Sequence, residues 1–386
     1  IADTELDASG GWGCGIWVQN DGELVATDSV VEGNRNNGIG IILGSATLER
    51  VQVLDTQPNE AGSGGNGIVV TAEGSLVATD CLVQGNTQTG LTVSWASSAV
   101  LDQVDILDTH RNALGTFAMG LNVQRQGRLT ATDLTIRDTQ GPGMTASTGQ
   151  LECTHCTLSD NAVAGIMAHA GARLVIEDSI IESTVPGSNA GSGLGVYVSD
   201  QGLGGRDTDP HWVRPECSER IPCAKLPAAP PSLTLLDSTV RDNVMGALFI
   251  DGSGSHRIEG NTLSGGAGLS AAAGQWSHGD AVFVTRGVQD PVAWDEEEQE
   301  GLLLQDNSFT DGAGAGIFLD GVTATLSGNT YEGNDTDLVR QGCDLSDSPE
   351  GLDDEALTST EQCPDYDYFA QDPTYSYYIS EPEASN

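Results

Sequence analysis

The residues best suited to acid–base chemistry lie together in one Pro-rich segment, Gly202–Ser232. Two arginines, two aspartates and a histidine fall within a few positions of one another there: Arg206, Asp207, Asp209, His211 and Arg214. Carboxylate, imidazole and guanidinium groups side by side could move a proton and stabilise a developing charge, as in a lyase or hydrolase. The same charges could pair among themselves in a polar loop, and we favour this second interpretation.

Carboxylate clusters form a second candidate site, whose chemistry would be the binding of a hard cation. The candidates are Asp295, Glu296, Glu297, Asp353, Asp354, Asp365 and Asp367. Calcium requires several converging oxygen ligands, but none of these segments matches an EF-hand loop or a Gly-rich calcium repeat. Solvated acidic runs explain them equally well, so calcium is a cofactor that the sequence leaves open.

Four aromatic residues form a third candidate site, a binding surface. Tyr197, Phe249, Phe283 and Phe318 each stand in the middle of a short strand that follows a Gly or a small residue. The middle residue of such a strand points outward, so the four rings are predicted to stack as an exposed apolar stripe. The stripe could be a platform for sugar rings or a partner protein. It could instead be covered by the Pro-rich loop or by the C-terminal tail.

The net charge narrows the range of partners. The chain has 56 Asp and Glu against 15 Lys and Arg, a formal charge of −41. Such a surface disfavours nucleic acid, anionic membranes and anionic polymers such as polyuronates. No segment approaches the ~18 continuous apolar residues of a membrane span. Because the sequence starts at Ile1 without a signal-like run, we interpret it as a mature form without its targeting peptide.

The cysteines indicate the compartment. Cys217 and Cys223 share the Pro-rich loop, and Cys343 and Cys363 share the C-terminal segment, so each pair is predicted to form a local disulfide. Local disulfides imply an oxidising compartment, and we expect a secreted, extracellular or bacterial cell-surface protein.

The other four cysteines are Cys14, Cys81, Cys153 and Cys156. Cys153 and Cys156 form a C-x-x-C motif without a second pair or a His cluster that would complete a zinc site. Cys156 falls where Cys81 falls in an earlier copy of the repeat, so both are predicted to be small apolar core residues. A bridge between Cys153 and Cys156 stays open.

A repeated unit must position all of these residues. It reads GELVATDSVVEGN from Gly22, GSLVATDCLVQGN from Gly74 and GRLTATDLTIRDT from Gly127. Before each copy stands a second signature, a Gly followed by alternating apolar residues, as in GIWV at Gly15 and GIVV at Gly67. Successive anchors up to Gly195 are 22 to 30 residues apart. Each period therefore contains three short strands with turns between them.

Three short strands per period predict a coil, with like strands of successive coils stacked in parallel about 4.8 Å apart. The predicted fold is all-β, a single-stranded right-handed parallel β-helix of about eleven coils. We place an N-terminal extension at residues 1–12, the β-helix at 13–334 with insertions at 202–232 and 289–300, and an acidic, Tyr-rich extension at 335–386.

The register of the repeat predicts two inward ladders and one corner ladder. The first inward ladder contains Ile16, Ile39, Ile68, Leu91, Leu121, Met144, Ile166, Val196, Leu248, Val282 and Ile317. The second contains Val31, Val53, Val83, Ile106, Ile136, Leu158, Ile181, Val240, Phe309 and Tyr331. Asp28, Asp80, Asp133, Asp178, Asp237 and Asp306 recur at a corner, where a short polar side chain is expected to bond the backbone of the turn.

These Gly-anchored strands and L-x-A-T-D units resemble the right-handed parallel β-helix repeat proteins of the pectate-lyase-like superfamily, above all secreted, Asp-rich bacterial members. The resemblance spans roughly residues 13 to 334 and implies the β-helix fold. Enzymes of this superfamily imply polysaccharide cleavage. The N-T-D, G-H-G and R-I-K motifs of the polygalacturonase type are absent, so the resemblance supplies no catalytic residue.

Two functional hypotheses follow. The first is a non-enzymatic extracellular protein that is structural, adhesive or self-assembling, because the ends of a β-helix expose strand edges that can pair with another copy head to tail. Its docking tail would be the aromatic cluster Tyr366, Tyr368, Phe369, Tyr375, Tyr377 and Tyr378. The second is a protein that binds or cleaves a polysaccharide on the outward aromatic stripe. The missing catalytic motifs favour the first hypothesis, and enzymatic activity stays open.

Overall fold

The computed structural model describes residues 1–5, 13–112, 118–187, 193–199, 230–252, 254–266, 279–285, 301–320, 322 and 324–341. The described chain forms 34 short strands in three parallel sheets, and no helix occurs in it. Among the described residues, then, none forms a helix with the length and hydropathy needed to span a membrane.

The three sheets run side by side along the molecule. The first sheet contains β1 (Ile16–Gln19), β4 (Asn37–Ile42), β7 (Asn66–Thr71), β10 (Thr89–Val93), β13 (Met119–Gln124), β16 (Met144–Ser147), β19 (Ala164–His169), β22 (Leu194–Ser199), β25 (Gly246–Asp251), β28 (Val282–Thr285), β31 (Ala315–Asp320) and β34 (Thr336–Gln341). The second contains β2 (Glu23–Thr27), β5 (Ser45–Glu49), β8 (Ser75–Thr79), β11 (Ser98–Asp102), β14 (Arg128–Thr132), β17 (Gln150–Thr154), β20 (Arg173–Glu177), β23 (Ser232–Leu236), β26 (His256–Glu259), β29 (Leu302–Gln305) and β32 (Ala324–Ser327). The third contains β3 (Val30–Glu32), β6 (Gln52–Leu54), β9 (Leu82–Gln84), β12 (Asp105–Leu107), β15 (Thr135–Arg137), β18 (Thr157–Ser159), β21 (Ile180–Glu182), β24 (Thr239–Arg241), β27 (Thr262–Ser264), β30 (Ser308–Thr310) and β33 (Thr330–Glu332).

Each strand pairs in parallel with the strand that lies three positions later in the sequence, for example β1 with β4 and β4 with β7. This pairing makes the fold a parallel β-helix. The sheets have 12, 11 and 11 strands, in agreement with the predicted coil number. β34 continues the first sheet past Asn334, where the sequence repeat ends. At the other end Ala2 bridges to Glu32, so the first residues of the chain pair with the edge of the third sheet.

Both predicted inward ladders are present in the structure. The first runs in register from Ile16 to Ile317 and then continues to Leu338. The second runs from Val31 to Tyr331 and gains Leu263 between Val240 and Phe309. Phe309 is fully buried, and its ring stacks on that of Tyr331. These ladders form one continuous core, as expected when each coil buries its apolar side only against its neighbours.

The Gly anchors mark a close approach between coils, and two predicted anchors are wrong. A Cβ on Gly67 would lie 2.6 Å from the carbonyl oxygen of Gly90, and a Cβ on Gly120 would lie equally close to that of Gly143. In the later coils the stretches GALF from Gly246 and AVFV from Ala281 predict Gly246 and Asp280 as the anchors. Leu194 pairs with Gly246 and Val196 with Leu248, so the residue in register with Gly195 is Ala247. The same register places Ala281 at this position, because Leu248 pairs with Val282.

The recurrent aspartates stand at the predicted corner, and they share one backbone conformation. All six have φ between 46° and 52°, the left-handed region that Asn and Asp tolerate best among residues with a Cβ. Asp28 is exposed and pairs with Arg50 of the next coil, which lowers the pKa of that carboxyl. The corner thus selects Asp for its backbone conformation.

A ladder of polar side chains inside the same corner was not predicted from the sequence. In five successive steps, the backbone N–H of one coil donates to a side-chain oxygen of the next, over 2.9 to 3.0 Å. The members in order are Cys156, Ser179, Ser238, Asn261, Asn307 and Asn329. A second ladder at the corner after the third sheet uses Asn86, Asn161, Asn243 and Asn334 in the same way. Backbone groups that leave the sheets at the bends are thereby satisfied.

Cys153 and Cys156 form a disulfide bond, which settles the alternative that the sequence left open. Both are buried, as is Cys81, which is a free thiol. Burial raises the pKa of the Cys81 thiol, as expected for an inert core cysteine. The predicted pairs Cys217–Cys223 and Cys343–Cys363 lie outside the described residues.

Candidate functional site

The four predicted aromatic residues form one continuous stack on the outward face of the first sheet. Tyr197, Phe249, Phe283 and Phe318 are register partners in β22, β25, β28 and β31. Their ring centroids are separated by 5.5, 5.1 and 4.9 Å, with interplanar angles of 26°, 3° and 11°. We call these four residues the aromatic ladder. Rings spaced by one coil can stack because the strand spacing is close to the favourable distance between aromatic rings.

The geometry of the stack determines what it can present to a ligand. Stacked rings cover one another's faces, so Phe249 and Phe283 direct ring edges outward. Phe283 is 8% exposed, and the other three members are half-buried. The edge of an aromatic ring carries the positive part of its quadrupole and suits oxygen atoms. The ladder is therefore a narrow apolar ridge that presents ring edges and few open ring faces.

A polar column, not singled out from the sequence, runs parallel to the ridge. His169, Ser199, Asp251 and Thr285 are register partners in the four strands β19 to β28. Each stands two residues after the outward residue of its strand, at a distance of about 7 Å along the strand. The hydroxyl of Ser199 donates to Oδ2 of Asp251 over 3.4 Å. The strand period of two would have identified this column from the position of the aromatic residues.

The imidazole of His169 is neutral in this setting. Burial lowers the pKa of His169 to about 4, because the charged ring would be poorly solvated there. Its Nδ1 atom is buried and makes no hydrogen bond within the protein. A neutral ring offers one donor and one acceptor, so the column combines an imidazole, two hydroxyls and a carboxylate. Ser199 is fully buried, Thr285 is 3% exposed and Asp251 is 6% exposed, so the column lies beneath the surface of the sheet.

The other predicted site residues are not brought together by the described part of the structure. The loop group Arg206 to Arg214, the acidic residues Asp295 to Glu297, and the acids and aromatic tail between Asp353 and Tyr378 all lie outside the described residues. Within the described residues, no group of three or more His, Cys, Asp or Glu is arranged to hold a metal ion. Calcium binding and tail docking stay predictions.

A model of a known protein family matches the chain. The family model described as "Right handed beta helix region" matches residues 4–109 and 61–203. Together these matches cover residues 4–203, which is 200 of the 386 residues. A search of curated proteins found no match.

Solved structures give weaker similarities. The A-module of the mannuronan C-5 epimerase AlgE4 from Azotobacter vinelandii is 10% identical with a TM-score of 0.34, over 85% of this chain and 78% of that one. The tailspike protein gp49 of the Acinetobacter baumannii bacteriophage Fri1, a capsular polysaccharide depolymerase, is 9% identical with a TM-score of 0.30, over 83% of this chain and 56% of that one. Similarities of this size carry no argument about ligand or reaction.

Proposed function

The chain belongs to the right-handed β-helix family, and from that premise we propose that it binds a polysaccharide along the outward face of its first sheet. The observation that carries this proposal is the aromatic ladder on that face. An apolar ridge of this kind matches the apolar C–H patches of sugar rings.

The repeat of the fold supports a polymeric ligand. The ridge advances by one coil, about 4.8 Å, at each step along the helix axis. A ligand that lies along the axis therefore meets an aromatic side chain several times. Contacts repeated in this way suit an extended chain of similar units better than a single small molecule.

We also propose that the protein acts outside the cytoplasm, in a secreted or cell-surface location. The Cys153–Cys156 disulfide supports this, because disulfides persist in oxidising compartments. The formal net charge of −41 favours solubility in such a location.

Replacing Phe249 by Ala should weaken polysaccharide binding by about 10-fold or more, as expected for an aromatic contact at the centre of a binding surface. Phe249 is the second ring of the ladder and is half-buried between Tyr197 and Phe283. Affinity electrophoresis and calorimetry against a polysaccharide panel would measure the change, with reducing-end release as a readout of cleavage.

The matched control is Val100→Ala, which removes a side chain that is 49% exposed on the second sheet. This variant should bind like the original protein. If both variants are folded and bind with equal affinity, the aromatic ladder is not part of the binding surface.

A second candidate function is assembly end to end, and the first coil favours it. Leu24 and Ala26 of β2 are half-buried, while their register partners Ala46 and Leu48 are buried. Among the described residues β2 pairs with β5 on one side alone. An edge strand with an exposed apolar end can pair with another chain, and a heterologous contact of this kind can extend into a filament.

Sedimentation velocity over a range of concentrations would test assembly. The sedimenting mass of the original chain and of Val77→Lys should rise with concentration. The mass of Val25→Lys should stay that of a monomer. Val25 lies on the edge strand β2 and Val77 in the interior strand β8, and both are exposed in one outward column. A charged residue on the edge blocks pairing. A monomeric original chain at every concentration would contradict assembly.

A further inference from the structure

The first sheet carries far less charge than the rest of the molecule. Its first eight strands, β1 to β22, contain no Asp, Glu, Lys or Arg, although the chain has 71 such residues (56 plus 15). The second sheet differs at equivalent coils, where β14 begins with Arg128 and β20 runs from Arg173 to Glu177. Eight coils extend about 34 Å along the helix axis, so the uncharged region is long enough to contact several sugar units of one chain.

The outward positions of these strands are uncharged and of mixed polarity. The central outward column contains Trp17, Gly40, Val69, Thr92, Asn122, Thr145, Met167 and Tyr197, of which Thr145 and Met167 are buried. Polar side chains that are half-buried at the outward positions include Thr92, Asn122, Gln124 and Ser147. Amide and hydroxyl groups both donate and accept hydrogen bonds, as sugar hydroxyls do. They offer no ionic partner to a carboxylate or sulfate on a ligand.

Two charged groups that the structure describes lie close to this face, and both interact with neighbouring side chains. Asp251, in the polar column, is 6% exposed and accepts a hydrogen bond from Ser199. In the turn after β13, the Cζ atom of Arg125 lies 4.5 Å from the centroid of the Trp95 ring, where the guanidinium makes a cation–π contact.

We infer that the ligand of this face is an uncharged glycan, because the eight strands present uncharged side chains and no cationic partner for a polyanion. The inference rests on the proposed polysaccharide function and specifies its ligand class. It separates this chain from binding modes in which Arg or Lys side chains recognise acidic sugars.

The first test compares three probes on the full chain: a neutral β-glucan, polygalacturonate and chitosan. The β-glucan should bind at least about 10-fold more tightly than polygalacturonate, with little change when salt is raised, since uncharged contacts are not screened. Tighter binding of polygalacturonate would overturn the inference and leave the proposed function standing. The inference would also be overturned if chitosan were the only probe that bound and if its binding disappeared at high salt. No binding to any probe would overturn the proposed function itself.

The second test adds a positive charge to the column. Ser147 is half-buried and is the register partner of His169, so Ser147→Lys places an ammonium group beside the polar column. This variant should bind polygalacturonate about threefold or more tightly, because an added complementary charge strengthens association. Thr130→Lys on the exposed second sheet changes the net charge equally and is the matched control. An equal effect of the two lysines, or no effect of Ser147→Lys, would contradict the inference.

Discussion

Replacement of Asn307 by Ala is expected to lower the free energy of unfolding by about 3 to 5 kcal/mol, since each buried polar group left without a partner costs about 1 to 3 kcal/mol. The side chain is buried at the corner between the second and third sheets. Its Oδ1 accepts from the backbone N–H and the Nδ2 of Asn261, both over 3.0 Å. Its Nδ2 donates to the carbonyl of Ile258 over 2.8 Å. Ala keeps none of these bonds and admits no water to replace them.

Denaturant unfolding would measure this loss, with two variants as controls. Asn307→Ser should lose less, because Ser238 occupies the same ladder and its Oγ accepts from the backbone N–H of Ser179. Thr330→Ala removes an exposed outward side chain of β33 and should change stability by less than about 0.5 kcal/mol. A similar small change for Asn307→Ala would mean that the polar ladder contributes nothing to stability.

Replacement of His256 by Leu is expected to raise the free energy of unfolding at neutral pH. It should also reduce the loss of stability between neutral and acidic pH. His256 points into the core between its register partners Leu233 and Leu302 and is 3% exposed. Neither ring nitrogen makes a hydrogen bond within the protein. A Leu at this position continues the apolar ladder and removes a buried polar group without a partner.

The pH dependence has a defined sign. Burial lowers the pKa of His256 to about 4, below its ordinary value near 6.5. The unfolded chain therefore binds a proton first as the pH falls, and stability that is complete above pH ~6.5 is lost progressively towards pH ~4, by about 3 kcal/mol for this group. Denaturation midpoints at pH 7 and pH 4 would show a smaller difference for His256→Leu than for the original chain.

Thr330→Ala is the control for this comparison, because it removes an exposed side chain without a titratable group. It should leave the pH dependence unchanged. His169 contributes acid sensitivity of the same sign, since burial lowers its pKa to about 4 as well. An unchanged pH dependence in His256→Leu would show that the buried ring is not a source of acid sensitivity.

The inward ladders could be predicted from the sequence because the alternation of apolar residues is strict wherever Gly anchors a strand. The same rule failed at Gly246, where Ala247 and Ala281 take the close-packed position and shift the anchor by one residue. The polar ladder through Asn307 escaped prediction because Asn after Gly or Asp, as at Asn261 and Asn307, resembles an ordinary turn signal. Its role depends on hydrogen bonds between coils, which no local pattern records.

The site was predicted in part for a similar reason. Period-2 alternation placed Tyr197, Phe249, Phe283 and Phe318 on one outward column. It does not reveal that the rings cover one another's faces, because this depends on side-chain rotamers. The polar column of His169, Ser199 and Asp251 needed the register between distant coils, since residues 199 and 251 meet across a long insertion.

A crystal structure of the full chain with a bound neutral oligosaccharide tests the proposed binding face most directly. We predict that the sugar lies along the helix axis on the first sheet, with its C–H groups on the aromatic ladder. A sugar bound on the second or third sheet would contradict this proposal. So would an aromatic ladder that other residues of the protein cover completely.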